Sequence, residues 1–192
     1  LFDSNYIAYG INLIESLKQH DRNARVYVVS MDRNVYNELQ KLDYADVILI
    51  KIDDVEKEYY QLNDLKQKRS KTEYFFTLTP VICRYIMSLY DEIDRLTYLD
   101  SDLYFFSSPS PLFDEIGDSS IAIIEHKFSF ITKQNIKYGR FNVGWISFAR
   151  DNQGLDCINK WFDNCIDWCF QKVEPDRYAD QKYLDQWPLN YS

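Results

Sequence analysis

The sequence predicts an α/β fold in which a largely parallel, Rossmann-like sheet is covered on both faces by helices. Short apolar runs with strand character alternate with amphipathic runs at helical spacing, and no repeat, linker or low-complexity segment interrupts them. This alternation is typical of a layered sheet with helices on both faces. Because 192 residues suffice for one hydrophobic core and leave little for a second, we expect residues 1–192 to form a single domain.

The apolar runs predict the order of the elements. The predicted strands are residues 25–30, 46–52, 96–99, 121–124 and 143–148. The predicted helices are residues 7–17, capped by Asp3 or Ser4; 34–42, capped by Asn34; part of the charged segment 53–71; a helix that begins near Thr79 with Pro80 in its first turn; 152–171; and 179–187. Leu1 and Phe2 are all that is left of an apolar run, so we expect a fold truncated at both ends.

Composition excludes several classes of protein. Hydrophobic residues make up 46% of the chain against 5 Gly and 5 Pro, which excludes disordered and collagen-like chains. The net charge of −8 argues against a nucleic-acid-binding protein, which needs a basic face. No apolar run reaches the roughly 18 residues of a membrane span, and nothing resembles a signal peptide. The predicted location is cytoplasmic, and peripheral attachment to a membrane stays open.

The four cysteines predict buried thiols. Cys165 and Cys169 have the spacing of half a metal site on a helix. However, Leu155, Ile158 and Phe162 continue the same helical spacing, so core packing explains these two cysteines better. Free cysteines fit a reducing compartment.

The most informative feature is an apolar strand that ends in Asp100-Ser101-Asp102. In open α/β sheets, the carboxyl ends of strands deliver functional residues. Because the chain turns there, both carboxylates can converge on one cation, and such oxygen ligands suit Mg²⁺ or Mn²⁺. The alternative is a solvated acidic rim that includes Asp91 and Asp94. The apolar residues 103–106 that follow the motif make a merely solvated loop less favoured.

Four patches of sequence carry a family resemblance. Residues 98–104 (YLDSDLY) resemble the signature of metal-dependent nucleotide-sugar glycosyltransferases with the GT-A fold, in the group that includes glycogenin and bacterial lipopolysaccharide galactosyltransferases. Residues 3–6 (DSNY), 141–144 (FNVG) and 179–181 (ADQ) resemble further patches of that family, in the same order. The resemblance implies a GT-A domain that spans essentially the whole chain.

The resemblance also implies a role for each matched residue. The implied nucleotide-binding residues are Asp3, Asn5, Tyr6, Asp100, Ser101 and Asp102, and Asp100 and Asp102 would also hold Mn²⁺ or Mg²⁺. The implied sugar-binding residues are Asn142, Asp180 and Gln181, of which Asp180 and Gln181 would also be catalytic.

The residue types suit these roles. Asp3 and Asn5 offer groups that can read a uracil or ribose edge, and Tyr6 can stack on the base. Asp180 can accept strong hydrogen bonds from two sugar hydroxyls. Two structural alternatives stay open: Asn142 as a turn residue at a strand end, and Asp180 as a helix N-cap.

The implied activity is transfer of a sugar from a nucleotide-diphosphate donor, expected to be a UDP-sugar, to a carbohydrate, lipid-linked or protein acceptor. The resemblance implies retention at the anomeric carbon. Related enzymes take a third metal ligand, usually a histidine, from a later segment. Because His126 lies too early, we expect this ligand beyond residue 192. The candidate cations for the leaving diphosphate are Arg69, Lys71 and Arg84.

Two other classes of function stay open at this stage. A haloacid-dehalogenase-type phosphatase or phosphotransferase also places Asp-x-Asp after an apolar strand. In that class the motif normally opens the domain, and Thr or Val follows it, whereas Leu103 follows it here. A non-catalytic interaction domain that keeps the fold is the second alternative, and donor hydrolysis would distinguish it from an enzyme.

Overall fold

A computed structural model describes residues 1–191, and their contacts define two compact units. The first unit comprises residues 1–60 and 100–117, and the second comprises residues 61–99 and those from 118 onward. The elements are α1 (Ile7–His20), β1 (Val26–Ser30), α2 (Arg33–Leu42), β2 (Val47–Lys51), α3 (Ile52–Glu58), α4 (Gln61–Lys68), α5 (Lys71–Leu89), β3 (Arg95–Leu99), α6 (Ser110–Ile116), β4 (Ile121–Glu125), β5 (Phe141–Ala149), α7 (Asn152–Asp167) and α8 (Trp187–Asn190). Two 3-10 helices, Lys133–Tyr138 and Lys182–Gln186, complete them. The single domain over residues 1–192 stays a prediction.

In the first unit, β1 and β2 form a parallel pair, as the sequence predicts. Phe2 extends this sheet: its N–H donates to the Val29 carbonyl at 3.3 Å, and its carbonyl accepts from the Met31 N–H at 3.1 Å. Gly10 lies against the Phe2 ring, where any Cβ would collide with it, so this glycine lets α1 cover the ring. The buried core around Phe2 consists of Ile14, Val28, Val35 and Leu39.

The second unit departs from the prediction of a mostly parallel sheet. Its strand order is β3–β5–β4, and both pairings are antiparallel. Residues 126–140 join β4 to β5 with only a 3-10 helix between them. A connection without a long crossover helix suits antiparallel neighbours, whereas parallel strands need such a crossover. The α/β class is therefore confirmed, and parallel pairing is confined to the strands of the first unit.

The start of α5 corrects the prediction of a helix near Thr79. The helix begins at Lys71, where the Ser70 hydroxyl accepts from the Glu73 N–H while the Glu73 carboxylate accepts from the Ser70 N–H. This reciprocal capping box fixes the first turn. Pro80 lies in the helix interior, at a cost of about 3 kcal/mol. Burial of every residue from 77 to 83 outweighs that cost, because tertiary packing overrides local propensity.

Several other boundaries differ from the sequence predictions. Tyr6, not Asp3 or Ser4, precedes α1, and no side chain caps that helix. Asp32 caps α2 in place of Asn34, because its carboxylate accepts from the Val35 N–H at 2.9 Å. The predicted helix 152–171 ends at Asp167, and the predicted helix 179–187 is a 3-10 turn followed by α8.

Arg69 ties the start of α5 to the end of α7. Its guanidinium donates to the Cys165 carbonyl at 2.7 Å and to the Ile166 carbonyl at 2.8 Å, and it also bonds the Thr77 hydroxyl. The carbonyls at a helix C-terminus lack partners within the helix, so this contact satisfies two of them. Arg69 is only 6% exposed, which removes it from the candidate cations for a diphosphate.

The cysteine prediction is confirmed. The described thiols of Cys83, Cys157, Cys165 and Cys169 are all free and buried. Burial raises the pKa of the Cys83 thiol to about 12. Because all four are buried with 0–1% of their surface exposed, the cysteines act as small core hydrophobes. Among residues 1–191, no group of three or more His, Cys, Asp or Glu side chains is placed to hold a metal.

We expect Glu73→Gln to destabilise the protein at neutral pH by about 1–2 kcal/mol, because glutamine keeps one acceptor oxygen in place of two, serves only one of the Ser70 and Gln171 N–H groups, and lacks the negative charge that strengthens both bonds. Burial alone would raise the pKa of Glu73, but the N–H groups of Gln171 and Ser70, the Ser70 hydroxyl and Arg69 together lower it. A lowered folded pKa gives stability that is present above the unfolded pKa and lost as the pH falls through the folded value.

The measurement is urea unfolding followed by circular dichroism at neutral pH and below about pH 4, where the difference from the parent should shrink. Glu115→Gln, which changes an exposed carboxylate, serves as the control. A difference that stays constant with pH would assign the effect to packing rather than to the charge.

Candidate functional site

The Asp100-Ser101-Asp102 motif forms a turn directly after the last residue of β3. The Leu103 N–H donates to the Asp100 carbonyl at 3.3 Å and closes the turn. Asp100 is half-buried and Asp102 is exposed. Within residues 1–191, the Asp102 carboxylate makes no hydrogen bond or salt bridge. Two hard oxygen donors at one turn fit a cation such as Mg²⁺ or Mn²⁺, which completes its shell with water and phosphate oxygens.

The segment after the motif exposes two aromatic rings. Tyr104 and Phe106 are 52% and 87% exposed, and their ring centroids lie 4.8 Å apart. Between them, the Phe105 N–H donates to the hydroxyl of buried Ser16 at 3.1 Å. Because Ser16 belongs to α1, this bond anchors the segment within the first unit. The apolar residues 103–106 that follow the motif therefore form an anchored surface segment rather than a buried strand.

The predicted nucleotide loop, residues 3–6, is shaped by its own side chains. The Asp3 carboxylate is buried and accepts from the Asn5 N–H at 2.9 Å and from the Asn5 amide at 3.3 Å. Tyr6 is 48% exposed, and its ring centroid lies 5.6 Å from that of Tyr9. The loop thus presents an aromatic face, while Asp3 and Asn5 hold the turn that presents it.

Asp32 is a loop-positioning residue that the sequence reasoning missed. Its carboxylate accepts from the N–H and from the hydroxyl of Ser4, each at 2.8 Å, and the Asn34 amide donates to the same hydroxyl. Burial alone would raise the pKa of Asp32, but hydrogen bonds from Val35, Ser4 and Asn34 outweigh it and lower the pKa. The preference for Asp at an N-cap was the signal that could have found it.

In the second unit, Asn142 lies at an irregularity in the β4–β5 ladder. Ile123 is opposite Ile146, but Ile124 is opposite Asn142, so β5 carries extra residues at this point. The Asn142 side-chain carbonyl accepts from the Gly144 N–H at 2.5 Å, which stabilises the bulge. No described residue takes the amide hydrogens of Asn142. The carbonyl oxygen of Asn142 therefore has the structural role of a turn residue, while its amide group can still donate to a ligand.

Gln181 packs against the loop that precedes β5. Its amide donates to the Tyr138 carbonyl at 3.2 Å. Gly139 has φ +134° and ψ 147°, and a Cβ there would lie 3.1 Å from Cγ and from Nε2 of Gln181. The Arg140 N–H donates to the Asp185 carboxylate at 2.7 Å, which strengthens the contact between the two segments. The structure thus brings the chain just before Asn142 against Gln181.

Asp180 is buried and anchored through its backbone. Its carbonyl accepts from the indole N–H of fully buried Trp161 at 2.8 Å. The preceding Ala179 has φ +47°, a left-handed conformation that is costly for a residue with a Cβ. The 3-10 helix begins at Lys182 with Gln181 before it, so Asp180 does not stand at the cap position. This geometry argues against the cap alternative for Asp180.

Two proteins of known sequence are similar to this chain over most of its length. The chain is 31% identical over 182 residues to YfnF and 29% identical over 183 residues to YfnD, two uncharacterized proteins of Bacillus subtilis (strain 168). These matches cover 91% and 93% of the chain, which spans only 59% and 58% of the two relatives. No family model matches the chain.

Two solved structures of glycosyltransferases match the fold of this chain. The galactosyltransferase LgtC, in complex with donor and acceptor sugar analogues, matches with a TM-score of 0.60 and 19% identity, covering 96% of this chain and 67% of LgtC. Mouse xyloside xylosyltransferase 1 matches with a TM-score of 0.52 and 18% identity, covering 86% of this chain and 69% of that protein. The chain has the GT-A fold.

The GT-A fold confirms the fold class that the four sequence patches predicted. The alternative of a haloacid-dehalogenase-type protein rested on the Asp-x-Asp motif alone, and the GT-A fold does not support it. Within residues 1–191, no helix combines the length and the apolar character that crossing a bilayer requires. The predicted roles of the individual site residues stay predictions.

We expect Gly139→Ala to destabilise the protein by about 1–3 kcal/mol, because the glycine-only backbone conformation and the contact with Gln181 both oppose a Cβ. The side-chain amide resonance of Gln181 should shift in the same variant. Gly117→Ala is the matched control, since Gly117 also has positive φ but has open space around it. It should leave that resonance in place; a shift in both variants would contradict the packing argument.

Proposed function

We propose that this chain belongs to a glycosyltransferase that moves a sugar from a nucleotide-diphosphate donor, a UDP-sugar, to a carbohydrate, lipid-linked or protein acceptor. The observation that carries the proposal is the exposed, unpartnered Asp102 carboxylate at the turn after β3 of a GT-A fold. The chain has a net charge of −8, so a divalent cation is the simplest link between its carboxylates and an anionic diphosphate.

We propose that Asp100 and Asp102 hold Mn²⁺ or Mg²⁺. A bound divalent ion supplies positive charge that stabilises a leaving diphosphate. Among residues 1–191 no group of three or more His, Cys, Asp or Glu side chains is placed to hold a metal, so the proposal names these two carboxylates alone and leaves the rest of the cation's shell to water and phosphate oxygens. In the same proposal Tyr6 stacks on the base, Ser101 contributes to the nucleotide site, and the Asp3–Asn5 pair holds the loop in shape.

The donor sugar is assigned to residues of the second unit. The free amide hydrogens of Asn142 can donate to a sugar hydroxyl, and the Asp180 carboxylate can accept from two hydroxyls. Gln181 positions the sugar, held in turn by the Tyr138 carbonyl. A solved active-site variant of LgtC replaces a glutamine by glutamate, so a glutamine belongs to the active site of that protein.

The proposed reaction is retaining. The bond from the anomeric carbon to the diphosphate oxygen breaks, and a bond from the same carbon to the acceptor oxygen forms on the same face. The acceptor hydroxyl gives its proton to the departing diphosphate. Gln181 is a neutral amide already engaged by a backbone carbonyl, so it orients the sugar rather than attacking it. Holding the acceptor hydroxyl beside the departing diphosphate, on the same face of the sugar, supplies much of the rate.

Asp102→Asn should weaken UDP binding at least about tenfold in the presence of Mn²⁺, because a hard cation loses a charged ligand. In chelator, UDP should bind weakly and equally to the variant and the parent. Isothermal titration in both conditions is the measurement. Asp114→Asn, a change at an exposed carboxylate of α6, is the control and should bind like the parent. If the parent binds UDP equally with and without Mn²⁺, the metal has no part in binding.

Asp180→Asn should separate sugar recognition from nucleotide recognition. Loss of a charged acceptor should lower turnover of a UDP-sugar at least about tenfold, since bonds to charged groups are worth about 1.5–3 kcal/mol. UDP affinity should change little. Asp163→Asn, on the exposed face of α7, is the control. A parallel fall in UDP affinity would make Asp180 a structural residue, and complete absence of donor hydrolysis in the parent would favour a non-catalytic domain.

A further inference from the structure

The loop between β4 and β5 exposes apolar side chains in the second unit. We call residues 126–138 the β4–β5 loop. Phe130 is 95% exposed, the adjacent Ile131 is 85% exposed, and Ile136 is 51% exposed. A single exposed apolar residue is ordinary, but neighbouring residues that are both almost fully exposed form a patch that indicates an interaction surface.

The same loop is strongly basic within an acidic chain. Lys127, Lys133 and Lys137 are all exposed, and no Asp or Glu occurs from residue 126 to residue 140. Within residues 1–191 these three lysines form no salt bridge. Arg140, by contrast, is neutralised by Glu125 at 2.8 Å. Lys127 interacts electrostatically with Glu125, and the Lys137 ammonium lies 4.9 Å from the centroid of the Tyr138 ring. The loop that carries the apolar pair therefore contains three exposed lysines and no carboxylate of its own, in a chain whose net charge is −8.

Backbone hydrogen bonds give the β4–β5 loop a defined shape. The Thr132 N–H donates to the Ser129 carbonyl at 3.0 Å, which closes a turn whose two central residues are Phe130 and Ile131. The Asn135 N–H continues the chain into the 3-10 helix with a bond to the Thr132 carbonyl at 2.8 Å. The apolar pair thus stands at the tip of a turn and cannot be covered by its own loop.

We propose that the β4–β5 loop docks on an anionic membrane surface. Phe130 and Ile131 enter the boundary between headgroups and acyl chains, while the three lysines meet lipid phosphates. Binding of this kind combines buried apolar area with attraction to anionic lipids, and both elements are present here. The inference does not depend on the proposed glycosyltransferase activity.

The chemistry of the tip favours lipid over the other occupants. Ile131 has no aromatic face on which a sugar ring can stack, so a glycan would use only half of the pair. A protein interface typically buries a broad patch depleted in lysine, whereas this tip is narrow and flanked by lysines. Flexible ammonium groups around a small apolar wedge match the fluid, phosphate-rich surface of a bilayer.

The test is co-sedimentation of the 192-residue chain with vesicles of equimolar phosphatidylcholine and phosphatidylglycerol. Vesicles of phosphatidylcholine alone should bind much less, and added salt should release the protein from the anionic vesicles. Phe130→Ser combined with Ile131→Ser should weaken binding at least about tenfold. Lys133→Gln combined with Lys137→Gln should weaken it about fivefold for each lysine removed.

Matched variants control for exposure and charge. Phe106→Ser removes an aromatic ring that is 87% exposed in the first unit, and Lys51→Gln with Lys68→Gln removes two exposed lysines elsewhere; both should bind like the parent. Phe130→Trp adds a fifth tryptophan to the four already in the chain, so the difference between its emission and that of the parent is a local readout and should shift to the blue on anionic vesicles. All of the variants are expected to fold, because every altered side chain is exposed.

Three results would overturn the proposal. The first is failure of the parent to sediment with anionic vesicles. The second is equal sedimentation of the Phe130–Ile131 double variant and the parent. The third is a parent that self-associates through the tip, as judged by light scattering, with the double variant monomeric and neither bound to vesicles.

Discussion

The geometry of the second unit depends on the junction between the start of α5 and the end of α7. Arg69 donates to the last carbonyls of α7, while Glu73 accepts from the Ser70 N–H and from the Gln171 N–H just beyond that helix. Arg69 thereby satisfies carbonyls in the buried part of this junction, where an unpaired polar group is costly, while the N–H groups bound by Glu73 lie at the exposed side. From the face of α7, Trp161 donates to the Asp180 carbonyl, so the segment proposed to face the donor sugar is held by the packing of α7.

Several residues proposed for ligand binding also shape the local backbone. Asn142 uses its carbonyl oxygen to hold the β5 bulge and keeps its amide hydrogens free. Asp3 accepts from Asn5, and Gln181 donates to the Tyr138 carbonyl. A side chain fixed by one bond loses less freedom when it makes a second to a ligand, which is the advantage of preorganisation. Asp102 is different: with no described partner, it is available to a cation.

Charge is distributed unevenly along this acidic chain. The carboxylates of the Asp-x-Asp turn suit a cation, whereas the β4–β5 loop carries three lysines, the exposed Phe130 and Ile131, and no carboxylate. The two features address different chemistry: a hard cation that bridges to a diphosphate, and an anionic surface that accepts an apolar wedge. A net charge of −8 describes neither of them, because recognition depends on local charge and exposure.

The sequence by itself determined the α/β class, the strands, the buried cysteines and the Asp-x-Asp turn, because periodicity and motif spacing are local properties of the chain. Four ordered patches also predicted the GT-A fold. Only the tertiary structure decided that α5 continues through Pro80, since burial along residues 77–83 outweighs the lost hydrogen bond. It also decided the antiparallel pairing of β5, the structural use of Arg69 and the bond between Asp32 and Ser4. Each of these joins residues far apart in sequence, where local patterns carry no information about partners.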